Sequence, residues 1–170
     1  MNRFYTFALT AVALLCLTVF SLPKWALAQQ QTAQQSAKTN LEIDLPDVVA
    51  EVRAAYDRYN QAVNSNNVAV LDATFRNDPR TIRYGNAENL YGYKEIEAYR
   101  TAVRPAAGAP RTLSKTVITT YGRDFAVAST LTHRADAPGK VGRQMQTWVR
   151  FSEGWRVVAA HVSVISETSS

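Results

Sequence analysis

The sequence predicts an α+β domain in which three helices come first and a long, curved, mainly antiparallel sheet follows. Three segments with apolar residues at helical spacing occupy the first half of the domain. Four long segments that alternate polar and apolar residues occupy the second half, and two short turns join adjacent segments as hairpins. Helices packed on one face of a strongly bent sheet enclose a conical cavity, which is where a ligand would bind.

The helices are predicted from the spacing of their apolar residues. The first helix begins at Pro46, and its apolar residues share one face because they recur every three or four positions: Val49, Val52, Tyr56, Tyr59 and Val63. A short second helix is predicted at residues 68–75. It ends before Pro79, since the residue that precedes a proline disfavours helix. A third helix is predicted at residues 93–103.

The strands are predicted from alternation and from the turn residues that bound them. A first strand covers residues 80–84 and ends at Gly85. A brief extended piece follows at residues 90–91. The long strands are predicted at residues 112–121, 125–133, 142–151 and 155–165.

The N-terminal segment has the layout of a secretory signal peptide. Arg3 lies near the start, an apolar run covers residues 4–22, and an Ala-Leu-Ala motif ends at Ala28. We therefore predict export to the periplasm or the medium after cleavage at Ala28. An uncleaved anchor is the alternative, because an apolar run of about 18 residues is near the lower limit for spanning a bilayer. A membrane is expected as a partner only in that case.

The rest of the chain is predicted to hold one domain. Residues 1–28 are the signal peptide, residues 29–44 a disordered polar tether, residues 45–166 the domain and residues 167–170 a tail. Cys16 is the only cysteine and lies in the signal peptide, so the exported chain has neither a disulfide nor a thiol nucleophile.

The charge pattern argues against a nucleic-acid partner. The chain carries 19 basic and 14 acidic residues, but the basic residues are scattered and two of them lie in the signal peptide. The chain has two histidines and lacks a Gly-rich phosphate loop, a zinc-binding motif and a nucleophile elbow. We therefore expect neither a metal nor a cofactor.

Two arginines on the first strand are candidate carboxylate ligands. Arg80 and Arg83 lie three residues apart, so they point to opposite faces and only one of them enters the cavity. A guanidinium group there would hold a carboxylate with paired hydrogen bonds. The alternative is a surface arginine that pairs with Asp78 or Glu88.

The bend after the first strand supplies further candidates. Tyr84 and Tyr91 carry hydroxyl donors, and Asn89 carries an amide that could donate to a carbonyl oxygen. Loop residues of this kind converge on the mouth of a cavity. Structural support is the alternative for Glu88, and turn-stabilising hydrogen bonds are the alternative for Asn89.

The third long strand carries two amides in line. Gln144, Gln146 and Trp148 share a face by alternation. Buried amides need partners, and a polar ligand would supply them, since an unpaired buried polar group costs about 1–3 kcal/mol. The alternative is that Gln144 is exposed and only Gln146 and Trp148 lie inside.

The last strand carries the candidate acid or base. Its alternation places five residues on one face: Trp155, Val157, Ala159, His161 and Ser163. If His161 lines the cavity, it is the best general acid or base available, because histidine is the side chain that titrates near neutral pH. A satisfied histidine in the core is the alternative.

Three long stretches resemble a known family. They are DPRTIRYGNAENLYGYKEIEAYR at residues 78–100, RTLSKTVITTYGRDFAVAST at residues 111–130 and GRQMQTWVRFSEGWRVVAAHVS at residues 142–163. In these stretches the chain resembles the AtzH-like family, and the resemblance covers residues 45–164. It implies the SnoaL-like fold of the nuclear transport factor 2-like (cystatin-like) superfamily, and a homodimer.

The resemblance also implies an activity, because the family includes an oxalurate catabolism protein and a 1,3-dicarboxyurea decarboxylase. The expected function is a cofactor-free decarboxylase, or a related lyase or hydrolase, acting on a small ureido or N-carboxylated acid. Arg83 or Arg80 would clamp a carboxylate, and Tyr56 and Asn89 would orient the substrate. His161 or Tyr84 would donate a proton. Two alternatives stay open: an exported, non-catalytic module that binds a small carboxylate, and a dimerisation domain.

We predict that the protein recovered from the periplasm or the medium begins at Gln29, because the signal peptidase recognises the Ala-Leu-Ala motif before it. N-terminal sequencing of the secreted protein checks this. Recovery of only the uncleaved chain in the membrane fraction would contradict the prediction.

Overall fold

The computed structural model describes residues 41–103 and 109–167, and it confirms the α+β class. Its helices are α1 (Pro46–Asn64), α2 (Val68–Thr74) and α3 (Tyr93–Val103). Two short strands, β1 (Ile82–Tyr84) and β2 (Asn89–Tyr91), lie between α2 and α3. Four long strands follow: β3 (Arg111–Tyr121), β4 (Phe125–Arg134), β5 (Lys140–Phe151) and β6 (Gly154–Ser166).

The six strands form one sheet in the order β2-β1-β6-β5-β4-β3. Consecutive long strands pair antiparallel, as the short turns predict. The pair β1–β6 is the parallel one, so the first strand of the domain lies beside the last. This pairing sets Tyr84 directly opposite His161.

The helices cover one face of the sheet, which we call the inner face. Helix α1 buries Val52 and Tyr56 completely, and both pack in one core with Trp148 of β5 and Val157 of β6. Burial of a large apolar side chain contributes roughly 1.5–3 kcal/mol, so this contact holds α1 to the sheet. The opposite face, which we call the outer face, exposes large residues such as Met145.

Two β-bulges change which residues face the core. One interrupts β3 between Ser114 and Val117. The other lies in β6, where Thr147 pairs with Ala159 and Trp148 pairs with Val157, so that Val158 is an extra residue. Such an insertion shifts the alternation of every residue on one side of it.

The strict alternation predicted for β6 is therefore wrong. Val157 is fully buried on the inner face, whereas His161 is exposed opposite Met145. Ser163 pairs with the exposed Arg143 and shares the outer face with His161. His161 is thus neither a core histidine nor a residue of the inner face.

The predicted N-terminal boundaries fall partly on the described residues. Residues 41–44 belong to the predicted tether, yet they extend along β3: Ile43 pairs with Tyr121, and the Asp44 amide donates to the Thr120 carbonyl over 3.1 Å. The predicted signal peptide and the rest of the tether lie outside the described residues. Within residues 41–103 and 109–167, no helix is both long and apolar enough to cross a membrane.

Candidate functional site

The two arginines predicted on the first strand make the local ion pairs that were their alternative. Arg80 lies before β1, its side chain is 89% exposed, and its guanidinium binds Asp78 at 2.8 Å. These hydrogen bonds hold the pKa of Asp78 well below its usual range. Arg83 lies on β1 and is part-buried, where it pairs with Glu88 and stacks over the Tyr99 ring at 5.5 Å. Neither guanidinium is free to clamp a ligand without giving up its carboxylate.

The three residues predicted as catalytic meet at the outer face. The Tyr84 and Tyr91 hydroxyls lie 3.2 Å apart, and the Tyr84 ring meets the His161 ring edge-on at 6.3 Å. Asn89 is exposed and pairs with Tyr84 across β1 and β2. Tyr84, Asn89 and His161 are therefore neighbours, but they lie on the side of the sheet that faces away from the core. Their catalytic roles stay predictions.

A different group of polar residues occupies the interior, between α1 and the inner face of β3–β5. We call it the interior polar cluster. It consists of Tyr56 and Asn60 from α1, Arg111 at the start of β3, Thr130 from β4, and Gln144 and Gln146 from β5. Apart from the partly buried Arg111, each of these residues is at most 7% exposed.

Arg111 is the centre of the interior polar cluster. Its Nη1 donates to Gln144 Oε1 over 2.8 Å, and its Nη2 donates to Asn60 Oδ1. Asn64 holds the backbone of Arg111 from both sides, because its amide accepts from the Arg111 N–H and donates to the Arg111 carbonyl, each over 3.1 Å. The Tyr59 ring lies 5.7 Å from the guanidinium carbon.

The charge of Arg111 is not neutralised by any carboxylate of residues 41–103 or 109–167 within ion-pairing distance. Its side-chain partners are the neutral amides of Asn60 and Gln144, and its Nε makes no hydrogen bond to a described residue. Buried and half-buried cations are normally paired with an anion. Because Arg binds carboxylates with two parallel hydrogen bonds, Arg111 is the candidate anion ligand of the cluster.

Several polar atoms of the inner face and of α1 are buried without hydrogen-bond partners among the described residues. They are both amide atoms of Gln146, the Gln144 Nε2, the Tyr56 hydroxyl and the Trp148 indole nitrogen. Each such group costs about 1–3 kcal/mol unless something binds to it. Because buried polar atoms are normally paired, these atoms make the interior polar cluster a candidate site for a polar ligand.

Tyr56 is the candidate proton donor of this cluster. Burial raises the pKa of its hydroxyl, and the nearby Thr130 and Asn60 side chains and the Arg111 charge lower it by less. The net effect keeps the hydroxyl protonated at neutral pH. The hydroxyl can donate a hydrogen bond to a bound ligand, and although its raised pKa makes it a weak acid, the nearby Arg111 charge would favour the phenolate left by a proton transfer.

The sequence predicted part of this cluster and missed its centre. Tyr56, Gln146 and Trp148 lie inside as predicted, and Gln144 is 3% exposed, so the alternative that left it in solvent is wrong. Arg111 was not predicted, because it stands just before the predicted strand at residues 112–121. Asn60 offered a signal, since it follows Tyr56 by one helical turn on the buried face of α1.

The described residues hold no group of three or more His, Cys, Asp or Glu side chains arranged to bind a metal ion. The interior polar cluster offers one guanidinium, one phenol, one hydroxyl and three amides. Amides and a phenol are poor competitors for divalent cations, which take carboxylates, imidazoles and thiolates. The chemistry available in the cluster is therefore anion binding and proton donation.

Comparison with known proteins shows which family the chain belongs to. The family model described as AtzH-like matches residues 41–168. The chain belongs to the AtzH-like family. The match confirms the resemblance seen in the sequence and spans all the described residues of this AtzH-like protein. A search of curated proteins found no match.

Solved structures confirm the fold. A protein of unknown function from Pectobacterium atrosepticum is 57% identical, with a TM-score of 0.70 over 73% of this chain and 95% of that chain. A cystatin-like fold protein from Burkholderia xenovorans is 42% identical, with a TM-score of 0.72 over 76% of this chain and 100% of that chain. A protein of the nuclear transport factor 2-like class from Pseudomonas putida is 18% identical, with a TM-score of 0.59 over 69% of this chain and 86% of that chain, and it shows the fold alone.

We predict that replacing Gln146 by Met raises the free energy of unfolding by about 1 kcal/mol, because the change removes two buried polar atoms that have no partner. Urea denaturation followed by circular dichroism measures it. Thr130→Val is the matched control: the Thr130 hydroxyl is hydrogen-bonded to the Thr116 hydroxyl over 2.8 Å, so its loss should lower stability by about 1 kcal/mol. Equal destabilisation by both changes would contradict the assignment of Gln146 to a ligand site.

Proposed function

We propose that this AtzH-like protein binds a small acid with a carboxylate and a ureido group in the interior polar cluster, and that it removes CO₂ from an N-carboxylate of that acid without a cofactor. The observation that carries the proposal is the Arg111 guanidinium, which is held between α1 and the sheet by neutral amides alone. A ligand carboxylate would complete the pairing that the described residues leave open.

The remaining groups of the cluster suit the rest of such a ligand. A ureido group carries N–H donors and a carbonyl acceptor, and the Gln146 amide offers one acceptor and two donors with no partner among the described residues. The Gln144 Nε2 adds a further donor next to Arg111. Because buried amides reject analogues that leave them unpaired, these glutamines would favour ureido acids over plain carboxylates.

The proposed reaction needs a proton and an anion clamp. When an N-carboxylate loses CO₂, the C–N bond breaks, its electron pair stays on nitrogen, and the nitrogen takes up one proton. The Tyr56 hydroxyl would supply that proton and then regain one from water. Arg111 would hold the second carboxylate of the substrate, and its charge would stabilise the transient Tyr56 phenolate.

Decarboxylation fits the cluster better than hydrolysis. Hydrolysis of an amide or ureido bond needs a general base to activate water. The interior polar cluster contains neither a carboxylate nor an imidazole, and His161 lies on the outer face. The substrate class belongs to this proposal, and it includes the oxalurate-type ureido acids that the family suggests. The export of the protein also belongs to this proposal.

A non-catalytic binding module is the second candidate. The same shortage of titratable groups favours it, because the interior polar cluster holds neither a carboxylate nor an imidazole, and burial makes the Tyr56 hydroxyl a weaker acid by raising its pKa. Such a module would use Arg111, Gln144 and Gln146 to capture a ureido acid and would leave it unchanged. Turnover separates the two candidates.

We predict that the purified protein releases CO₂ from freshly prepared N-carboxylated ureas, and that Tyr56→Phe lowers kcat by about 10²–10⁴-fold with little change in KM, because the variant keeps the ring and loses the proton donor. Arg111→Gln should instead raise KM, since it removes the carboxylate clamp. Headspace CO₂ measurement gives both constants.

Arg80→Gln is the matched control, because it also removes a guanidinium but acts on a surface ion pair with Asp78. It should leave both constants within about twofold. Turnover that survives Tyr56→Phe would refute the proton-donor role. Ligand binding without any CO₂ release would favour the binding module, and loss of turnover in Arg80→Gln would move the clamp from Arg111 to Arg80.

A further inference from the structure

We propose that Ala160 determines which ureido acids the interior polar cluster accepts, because its methyl side chain leaves a slot on the inner face for the distal end of the ureido group. We call this place, between Gln146 of β5 and Arg83 of β1, the alanine slot. The inference rests on the proposed function and narrows its substrate class. The slot admits a distal nitrogen that carries hydrogen or a planar carboxylate, and it excludes one that carries a branched substituent.

The register of the sheet places the alanine slot. Five residues of the inner face lie side by side in one row across five strands: Ala128, Gln146, Ala160, Arg83 and Leu90. Neighbouring strands lie about 4.8 Å apart, so the backbones of Gln146 and Arg83 are separated by roughly 10 Å. In this row, only the Ala160 methyl group stands between their two long side chains.

The Gln146 amide is the observation that points to a ligand. Its side chain is 1% exposed, and neither its oxygen nor its nitrogen has a hydrogen-bond partner among the described residues. Its two neighbours in the row are alanines, whose side chains carry no polar group that could pair with it. Because buried amides are normally paired, we expect a polar group of a ligand beside Gln146.

An ion pair forms the far wall of the alanine slot. Arg83 pairs with Glu88, and their side chains are 20% and 14% exposed. The Ala87 N–H donates to Glu88 Oε2 over 3.2 Å, which holds the carboxylate in place. The two charges offset each other, so this wall is polar without a net charge. A free cation would stabilise the carboxylate that is to be lost, so a neutral wall suits decarboxylation better.

The other side of Gln146 is apolar. There Ala128 is followed in the row by Ile118, which is buried. An apolar side chain offers no partner to the N–H and carbonyl groups of a ligand. The distal end of a ureido group is therefore expected over Ala160 rather than over Ala128.

Arg111 fixes the direction in which the ligand lies. Its guanidinium binds Gln144, which is two positions before Gln146 on the same face of β5. A ligand carboxylate on Arg111 therefore leaves the ureido group beside Gln146 and its distal nitrogen over the alanine slot. Resonance keeps C–N bonds of this kind planar. A planar group lies flat over a methyl group, whereas a branched side chain at position 160 would occupy the slot.

Two ligands of different length test the alanine slot. N-carbamoylglycine extends from Arg111 past Gln146 into the slot, whereas acetate reaches Arg111 alone. We expect Ala160→Val to weaken N-carbamoylglycine binding by at least roughly tenfold and to leave acetate binding within about twofold. Ala160→Ser adds one oxygen and no branch, so it should keep both affinities within about threefold. NMR titrations of the purified protein give these affinities.

A substituted ligand tests the exclusion of branched groups without any change to the protein. N-(tert-butylcarbamoyl)glycine keeps the carboxylate and the ureido group of N-carbamoylglycine and carries a branch on the distal nitrogen. We expect it to bind at least roughly tenfold more weakly than N-carbamoylglycine.

Thermal unfolding tests the alanine slot without a ligand. If no side chain occupies the space over Ala160, the added methyl groups of Ala160→Val enter it, and Tm should change by no more than about 2 °C. Ala126→Val is the matched control, because Ala126 is fully buried on the same face of the sheet beside the fully buried Trp148. Overpacking there should lower Tm by at least about 4 °C.

Four results would overturn the alanine slot and leave the proposed function standing. Ala160→Val could bind N-carbamoylglycine as tightly as the unchanged protein, or the tert-butyl derivative could match N-carbamoylglycine. Ala160→Val could lower Tm as much as Ala126→Val, or it could lose acetate binding in parallel, which would mean that it acts through Arg111. If the unchanged protein does not bind N-carbamoylglycine, the proposed function itself is refuted, and the slot as a ligand site with it.

Discussion

The rest of the site depends on a guanidinium placed between a helix and a sheet. Arg111 binds Asn60 of α1 and Gln144 of β5 through its side chain, and its backbone is held by Asn64 at the end of α1. These contacts tie the C-terminal half of the helix to two strands. They also hold a partly buried positive charge against the inner face, where an anion is attracted more strongly than in bulk water. A domain that only needed a stable core would place apolar side chains there.

Strand β5 separates the interior polar cluster from the outer face of the sheet. Gln144 and Gln146 belong to the interior polar cluster, and Arg143 and Met145, which alternate with them, lie exposed on the outer face. Alternation along the strand separates the two sets by the thickness of one sheet. The bulge in β6 then moves His161 to the outer side, so the imidazole stands apart from the buried amides.

The sequence predicted the elements well and the site only in part. Helical spacing and strand alternation report burial directly, so the order of elements and the interior positions of Tyr56 and Gln146 followed from them. His161 was misplaced because a single inserted residue, Val158, leaves no mark in the alternation pattern. Arg111 was missed because it stands just before the predicted strand, and because its partner Asn60 is 51 positions away in the sequence, so that only the fold brings the two together.

The most direct measurement is a crystal structure of the protein with N-carbamoylglycine, a ureido acid that lacks the N-carboxylate and cannot be decarboxylated. Our account predicts the ligand carboxylate on the Arg111 guanidinium at about 2.8 Å, with the ureido group against the Gln146 amide. A ligand bound by Arg80 or Arg83 instead, or an interior that stays closed to the ligand while the protein is shown to bind it in solution, would contradict the account.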